Sequence, residues 1–361
     1  MVEKRNSVTI LVVGVVFALL CVLVWCTPDA THSVSERRKL KQMPDFSVET
    51  VLSGKFMSEF ESYSLDQFPF RDVFRSLKAI STMKSDNNDI YMVDGVINSM
   101  EYPLNEDKLA YAAGKFLNAY EMLLKDAGCE LYFSIIPDKN YFYAAENGYL
   151  SIDYDKMVKT LQEQTNHMTY IDIFPFLQGT DYYRTDSHWK QECIWPVAEE
   201  LLTKMGKSVQ GTYDVKRAEG DFYGVYYGQA ALPLAPDELH YLTNEVIASF
   251  EVFDHENNKQ IPVYDEAKMG EDDPYELFLG GPLSLVTVEN PTKSDDSHLV
   301  VFRDSFGSSL VPLLAQGYAK TTLIDIRYIQ PAMLKNLVDF TGADVLFIYS
   351  SMVLNHSETI K

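Results

Sequence analysis

From residue 107 onward, the hydrophobic positions alternate between the spacing of helices and that of strands. Helical spacing at 107–126 ends at Gly128, a residue that commonly terminates a helix. Short apolar runs predict five buried strands, at 130–136, 169–173, 298–302, 320–326 and 345–349. Helices are predicted between or after them, at 154–165, 189–205, 308–316 and 331–340. This alternation indicates an α/β fold with a largely parallel sheet flanked by helices.

The alternation stops between residues 206 and 296, where glycine, proline, tyrosine and acidic residues dominate. We interpret 206–296 as a β-rich insertion in the sheet domain rather than as a domain of its own. Its tyrosines, among them Tyr223 and Tyr227, are interleaved with glycines and are candidates for a rim that contacts the substrate. The alternative, to which we give equal weight, is that these residues form an edge of the sheet with no functional role.

Upstream of this domain, hydrophobic positions with helical spacing extend over 47–84, and Pro69 fits a first helical position. Asp94-Gly95 is typical of a hairpin turn, and the polar, basic segment 27–45 is typical of a stalk. We therefore divide the chain into a cytoplasmic tip with a signal anchor at 1–30, a stalk with a helical segment at 31–88, and the sheet domain at 89–361.

The N-terminus carries an apolar run, residues 8–26, whose only polar side chain is that of Thr9. At ~1.5 Å per helical residue the run is long enough for a ~30 Å hydrocarbon core, so we predict an N-terminal transmembrane helix. Lys4 and Arg5 precede it, which places the N-terminus in the cytoplasm and the C-terminal domain outside. A cleaved signal peptide is the alternative, but its apolar core usually has only ~7–15 residues.

Charge and cysteine content narrow the possible partners. The chain has 31 Lys and Arg against 52 Asp and Glu, a net charge of −21, which disfavours binding to nucleic acid or to anionic lipid. Of the four cysteines, Cys129 and Cys193 lie outside the apolar run and within apolar stretches. We expect buried free thiols and a core that folds without disulfides.

Two polar motifs combine the residues of a serine nucleophile and its base. Ser305 comes after the strand 298–302 and before a helix, at the sheet edge where doubly wound folds carry their active sites. There a helix N-terminus can stabilise an oxyanion, although a simple helix cap by Ser305 or Asp304 is the commoner arrangement. Asp186 and His188, two residues apart in an extended chain, allow the carboxylate to orient the imidazole as a general base.

A third motif ends the strand 130–136. Lys139 is a candidate for holding a carboxylate or a sugar oxygen, with a solvated lysine as the alternative, and Tyr141 is a further candidate for contact with substrate. The other histidines offer no ligand spacing near His188, so we expect neither a metal nor a cofactor.

The stretches Tyr-Tyr-Arg-Thr-Asp-Ser-His-Trp (182–189) and Val-Val-Phe-Arg-Asp-Ser-Phe-Gly (300–307) together resemble the DHHW family of Gram-positive bacteria. That family is in turn similar to the SGNH-like O-acetyltransferase proteins of alginate acetylation. Further agreement runs from about residue 50 to the C-terminus, at 53–56, 66–71, 278–281, 324–329 and 345–350. The resemblance implies an SGNH-hydrolase-like catalytic domain and an acyl-transfer triad of Ser305, His188 and Asp186.

The resemblance further implies O-acetyl transfer to a cell-surface or secreted polysaccharide, beside a membrane-bound O-acyltransferase that supplies acetyl groups. Ser187 departs from the family motif, which has His there, and the glycine expected before Asp304 is absent. One oxyanion donor must then come from elsewhere, and Arg327 is a candidate, with an ion pair to Asp304 or Asp325 as the alternative. Trp189 is a further candidate for contact with substrate or oxyanion, and it is expected to pack beneath His188. A carbohydrate acetylesterase and a non-catalytic glycan-binding or assembly subunit are the alternatives.

Overall fold

The computed structural model describes residues 2–33, 38–71, 73, 86–87, 89–209, 212–230 and 234–361. Residues 34–37 of the predicted stalk and 74–84 of the predicted helical segment lie outside the described residues. The chain divides into two compact units, one comprising Met1–Asn87 with Tyr227–Leu234 and the other Asn88–Tyr226 with Ala235–Lys361.

The first unit contains the helices α1 (Val2–Cys26), α2 (Val48–Leu52) and α3 (Lys55–Asp66) and the short strands β1 (His32–Ser33), β2 (Arg38–Lys39) and β3 (Asp86–Asn87). Gly54, with φ of 75°, separates α2 from α3 within the predicted helical segment. The predicted stalk is held by the amide of Gln67, which accepts from the Ala30 N–H and donates to the Ala30 and Lys41 carbonyls.

The apolar run at 8–26 is helical, as part of α1. In the part of the chain that the structure describes, no helix meets the length and apolarity that a membrane span requires. The membrane-spanning role of this run stays a prediction.

The second unit contains most of the sheet structure. Its strands are β4 (Ile90–Val93), β5 (Val96–Ser99), β6 (Glu130–Ile136), β7 (Thr169–Tyr170), β8 (Asp214–Arg217), β9 (His240–Thr243), β10 (Glu251–Asp254), β11 (Lys259–Ile261), β12 (Leu285–Glu289), β13 (His298–Arg303), β14 (Lys320–Ile324) and β15 (Asp344–Ser350). Its helices are α4 (Glu106–Ala119), α5 (Lys139–Tyr143), α6 (Tyr154–Gln164), α7 (Trp195–Lys204), α9 (Glu245–Ala248), α10 (Phe306–Leu314), α11 (Pro331–Leu334) and α12 (Ser351–Asn355). The helix α8 (Val225–Ala230) has its first two residues in this unit and the rest in the first unit.

Within the described residues, the large sheet has eight strands in the order β11-β10-β12-β14-β13-β15-β6-β7. The five strands from β14 to β7 are parallel, and they are the five that the sequence predicts. Strands β12, β10 and β11, all from the insertion, continue the sheet in antiparallel pairing. The fold is therefore a mixed α/β fold, and the expectation of a largely parallel sheet holds for the five strands from β14 to β7.

Alternate residues of the central strands enter two separate cores. On one face, residues such as Leu299 and Val301 of β13 pack with the apolar sides of α7 and α10. On the other, Val300 and Phe302 pack with α4 and α6. Strands buried on both faces read as continuous apolar runs, which is why these strands can be recognised in the sequence. The two-sided packing fixes the carboxyl ends of β6, β13, β14 and β15 along one edge.

Several element bounds differ from the predicted ones. The helix predicted at 189–205 begins only at Trp195, with Pro196 in its first turn, because Trp189 pairs with Tyr182 in an isolated β-bridge. The helix predicted at 331–340 ends at Leu334, and the strand at 169–173 ends at Tyr170. The predicted hairpin turn is confirmed, since Asp94 and Gly95 both have positive φ between β4 and β5.

Candidate active site

Ser305 lies in the turn between β13 and α10. Its backbone is in the helical region, and its hydroxyl makes no cap hydrogen bond to the helix. The carboxylate of Asp304 takes that role instead: Oδ1 accepts from the Phe306 N–H at 3.0 Å and Oδ2 from the Ser350 N–H at 2.8 Å, at the end of β15. The alternative in which Ser305 serves as a helix cap is therefore wrong, whereas capping by Asp304 is present.

The loop after β7 carries His188 and Asp186. The Tyr183 N–H donates to the His188 carbonyl at 3.1 Å, which closes the loop into a tight bend rather than the extended segment assumed from the sequence. Within this bend Asp186 Oδ1 accepts from the His188 N–H at 3.0 Å and lies 2.6 Å from His188 Nδ1. The second carboxylate oxygen accepts from the Val225 N–H at 2.9 Å.

The three side chains form one continuous hydrogen-bond chain. His188 Nε2 lies 2.8 Å from Ser305 Oγ, although the two residues come from different loops. Because the Asp186 carboxylate can only accept, the proton of a neutral imidazole lies on Nδ1, and Nε2 accepts from the Ser305 hydroxyl. The Asp186 side chain is 1% exposed and that of His188 12%, and Ser305 is half-buried, so the accessible end of this hydrogen-bond chain is the serine rather than the carboxylate.

The ring that packs against His188 is Tyr275, not Trp189. The Tyr275 and His188 rings stack with centroids 3.9 Å apart and planes 12° apart, and Phe306 approaches the imidazole at 4.7 Å. Trp189 is fully buried, and its Nε1 donates to Ser309 Oγ at 2.9 Å. It is thus inaccessible to substrate, contrary to its place among the candidate substrate contacts.

A buried carboxylate from the insertion organises the chain directly before Asp186. Asp237 Oδ2 accepts from the Thr185 N–H at 2.8 Å and from the Thr185 hydroxyl at 2.7 Å, and Oδ1 accepts from the Arg184 N–H at 3.1 Å. The Thr185 hydroxyl in turn accepts from the Gly224 N–H at 3.0 Å. Residues 224 and 225 of the insertion therefore lie directly against Asp186.

Lys139 follows β6, as predicted, but its ammonium group is not offered to a substrate. The side chain is buried, and Nζ donates to the Tyr183 carbonyl at 2.9 Å and lies 4.9 Å from the ring centre of Tyr226. Burial lowers the pKa of Lys139 to about 7, against the opposing effect of Asp186 and Asp237. The expectation that it holds a substrate oxygen is therefore wrong, because this lysine anchors the loop that carries His188.

Arg327 follows β14 and is committed to a carboxylate. Its Nε donates to Asp325 Oδ1 at 2.9 Å and its terminal nitrogen to Asp325 Oδ2 at 2.7 Å. Arg303, which is fully buried, lies 3.6 Å from the same carboxylate and donates to the Gly281 carbonyl at 3.0 Å. Arg327 therefore forms the ion pair that the sequence left open, and it is not placed as a dedicated oxyanion donor.

Two of the candidate substrate contacts are accessible. Tyr141, 41% exposed, packs edge-on against Tyr154 and Phe174 beside a cavity of about 370 Å³ beyond the end of β6. Tyr223, 39% exposed, is the neighbour of Gly224. Both surfaces belong to the unit that contains Ser305.

Tyr275 and Asp237 were not singled out by the sequence. Both lie far along the chain from His188, within the insertion, where acidic and tyrosine residues are abundant. The only local signal is that each lies next to a proline, at Pro236-Asp237 and Pro274-Tyr275, where a turn is expected. The contacts of Tyr275 and Asp237 with the loop at 182–189 arise only when the chain has folded.

The fold and this site define a mixed α/β protein with an Asp-His-Ser arrangement at the carboxyl edge of its parallel strands. The DHHW protein family model matches residues 154–324, which include all three side chains. The structure is similar to a DHHW family protein from Eubacterium siraeum, with a TM-score of 0.62, 19% identity, and coverage of 76% of this chain and 95% of that one. The resemblance to the DHHW family is confirmed.

The structure is also similar to Bacillus cereus PatB1, solved with a sulfonyl adduct, with a TM-score of 0.59, 16% identity, and coverage of 74% and 97% of the two chains. The O-acetyltransferase domain of Pseudomonas putida AlgJ aligns more loosely, with a TM-score of 0.45, 12% identity, and coverage of 74% and 92%. A comparison with curated protein sequences gives no significant match.

Proposed function

We propose that this protein is an extracytoplasmic, SGNH-like O-acetyltransferase that acts on a cell-surface or secreted polysaccharide through an acetyl-Ser305 intermediate. The observation that supports the proposal is the hydrogen-bond chain from Asp186 through both nitrogens of His188 to Ser305 Oγ. A serine hydroxyl bonded to an imidazole that a carboxylate orients is the arrangement of an activated nucleophile.

In this mechanism, Ser305 Oγ attacks the carbonyl carbon of an acetyl donor while His188 Nε2 takes the hydroxyl proton. The tetrahedral intermediate collapses, the bond to the donor's leaving group breaks, and His188 returns the proton to that group. A glycan hydroxyl then attacks the acetyl-serine, losing its proton to His188, and Ser305 leaves as the protonated hydroxyl. Asp186 holds the ring and stabilises the imidazolium formed in each half-reaction.

The oxyanion of these intermediates needs donors near Ser305. At the start of α10 the Phe306 N–H is bonded to the Asp304 side chain and the Gly307 N–H to the Asp304 carbonyl. Within the described residues the Ser305 N–H has no hydrogen-bond partner, so we assign it as an oxyanion donor. The sequence suggests an open helix N-terminus with several free N–H groups. Because Asp304 accepts from the N–H groups of Phe306 and Gly307, only the Ser305 N–H is left for an oxyanion.

Replacement of the nucleophile tests the proposal. Ser305→Ala should lower the rate of cleavage of an activated acetyl ester, p-nitrophenyl acetate, by about a thousandfold or more. Ser308→Ala, one turn further along the same helix, is the matched control and should keep most of the activity. Mass spectrometry after rapid quenching should find one acetyl group on the peptide that contains Ser305. Full activity of Ser305→Ala, or acetylation elsewhere only, would contradict the proposal.

The same acetyl-serine would serve a carbohydrate acetylesterase if water replaced the glycan hydroxyl. Partition between the two acceptors distinguishes them: a transferase forms acetylated glycan from the intermediate, and an esterase releases only acetate. The non-catalytic alternative predicts that Ser305→Ala changes neither reaction. We further propose, from the resemblance and the apolar run at 8–26, that the protein is held at the cell membrane and that a membrane-bound O-acyltransferase supplies its acetyl donor.

A further inference from the structure

We infer that Tyr275 is a positioning residue for the proposed acyl transfer, and that it holds the imidazole of His188 in its working orientation from the β-rich insertion. The inference rests on the proposed function, because it gives the ring a role only if His188 carries protons. It assigns the insertion a part in the chemistry in addition to any part in choosing the substrate.

The contact between the two rings is close and nearly parallel. Centroids 3.9 Å apart with planes 12° apart leave the imidazole no room to rotate about its terminal bond without losing the stack. Phe306 approaches the same imidazole at 4.7 Å with its plane tilted by 50°. With Asp186 holding Nδ1 at 2.6 Å, the imidazole is constrained by ring contacts as well as through its edge.

Tyr275 is itself fixed. It is 3% exposed, and its hydroxyl lies 2.8 Å from Ser309 Oγ, which also accepts from Trp189 Nε1 at 2.9 Å. Ser309 lies in α10, the helix that follows Ser305, so the hydroxyl of Tyr275 ties the insertion to the helix of the nucleophile. The ring therefore has one orientation relative to both Ser305 and His188.

The face of the tyrosine ring also lies against the imidazolium that the proposed mechanism forms. When His188 takes the serine proton it becomes a cation above the electron-rich face of an aromatic ring, an attractive arrangement in a desolvated site. In the proposed mechanism the cation forms in the tetrahedral intermediates, and the imidazole is neutral again in the acetyl-serine form. Loss of the ring should therefore lower kcat more than it changes KM.

The backbone around Tyr275 explains how the insertion delivers it. The residue lies in a 3₁₀ turn, Pro274–Leu277, and its N–H donates to Asp273 Oδ1 at 3.1 Å. Its ring joins a small core that also contains Tyr183 from the His188 loop and Phe222 from the insertion. The insertion and the loop thus share one packed cluster, which holds the tyrosine against the imidazole.

The test compares three substitutions with one control in the full chain. Tyr275→Leu should lower kcat on p-nitrophenyl acetate by about 10- to 100-fold with KM changed less than threefold, since a small displacement of a catalytic group has effects of this size. Tyr275→Phe and Ser309→Ala keep the ring but remove its bond to α10, so each should lower kcat by less than Tyr275→Leu does. Tyr241→Leu removes a tyrosine of the same cluster that does not contact His188, and should also stay within about threefold.

A spectroscopic readout separates positioning from simple destabilisation and from failure of the proposed function. The proton between His188 Nδ1 and Asp186 should give a downfield ¹H resonance that persists in Tyr275→Phe and is lost or shifted in Tyr275→Leu. The change in this resonance is expected whichever reaction the site carries out. Ser305→Ala, in contrast, tests only whether the proposed reaction takes place. An unchanged resonance with unchanged kcat in Tyr275→Leu, or an equal loss in Tyr241→Leu, would overturn the inference.

Discussion

At the scale of single residues, the site depends on a glycine that admits the carboxylate of the proposed triad. A Cβ on Gly224 would meet the Cβ and Cα atoms of Asp186 and the carbonyl of Thr185, well inside van der Waals contact. Two of the three are backbone atoms, which cannot turn away as a flexible side chain does. The insertion therefore reaches Asp186 only because this position has no side chain.

We predict that Gly224→Ala lowers kcat on an activated acetyl ester by about 100-fold, because the added methyl group must displace Asp186 or the chain at 184–186. Gly270→Ala, in the same insertion, is the matched control, since nothing lies within 4 Å of the Cβ added there. Steady-state kinetics of the two variants checks the prediction, with circular dichroism to compare folding. Equal activities would show that the loop shifts without consequence.

At the scale of elements, the loop that carries His188 is tied to the end of β6 by a buried lysine. Lys139 opens α5, and its ammonium group donates to the carbonyl of Tyr183. Burial lowers its pKa to about 7, whereas an unfolded lysine keeps its proton until about pH 10.4. Between these values the unfolded chain binds more protons than the folded one, so this lysine makes the free energy of unfolding rise with pH.

We therefore predict that Lys139→Met removes a pH-dependent part of the stability. The free energy of unfolding of the unaltered protein should rise, relative to that of the variant, by up to about 1.4 kcal/mol per pH unit above pH 7. Urea denaturation at pH 6, 7, 8 and 9 checks this difference. Lys335→Met, at an exposed position, should show no such difference. Parallel pH profiles for Lys139→Met and the unaltered protein would contradict the prediction.

The elements also show what a sequence reveals and what it does not. Strands β6, β13, β14 and β15 are buried on both faces, and their continuous apolar runs identify them. The edge strand β11 and its neighbour β10 are short and carry exposed polar residues, so their place in the sheet depends on the pairing of β10 with β12 and of β11 with β10. Their antiparallel direction is not recorded in any local pattern.

The residues of the candidate site also divide into those that the sequence reveals and those that only the fold reveals. Ser305, His188 and Asp186 have the side chains that acyl transfer requires, and two of them form a local motif, so they can be proposed from the sequence. Tyr275 is an aromatic residue among many, and it matters only because the fold brings it to His188. Lys139 was placed correctly at a strand end, but its role could not be predicted, because the carbonyl of Tyr183 that holds it comes from a distant loop.

At the scale of the whole molecule, a strongly acidic chain is proposed to work at a membrane surface. Its net charge of −21 is repelled by anionic lipid, so binding through the surface of the folded domain is disfavoured. Attachment then depends on the N-terminal run at 8–26, preceded by Lys4 and Arg5. If that run is a signal anchor, the active-site domain stays near the membrane through a covalent link and not through its surface charge.

We predict that the full-length chain sediments with membranes and stays there in alkaline carbonate, because ~19 apolar residues remain in the hydrocarbon core when peripheral proteins are released. A chain that lacks residues 1–30 should be found in the aqueous fraction and keep its esterase activity on p-nitrophenyl acetate. Protease added outside intact cells should digest the bulk of the full-length chain, since Lys4 and Arg5 favour a cytoplasmic N-terminus. If cells that express the full-length chain instead yielded a shortened, soluble form, the apolar run at 8–26 would be a cleaved signal peptide.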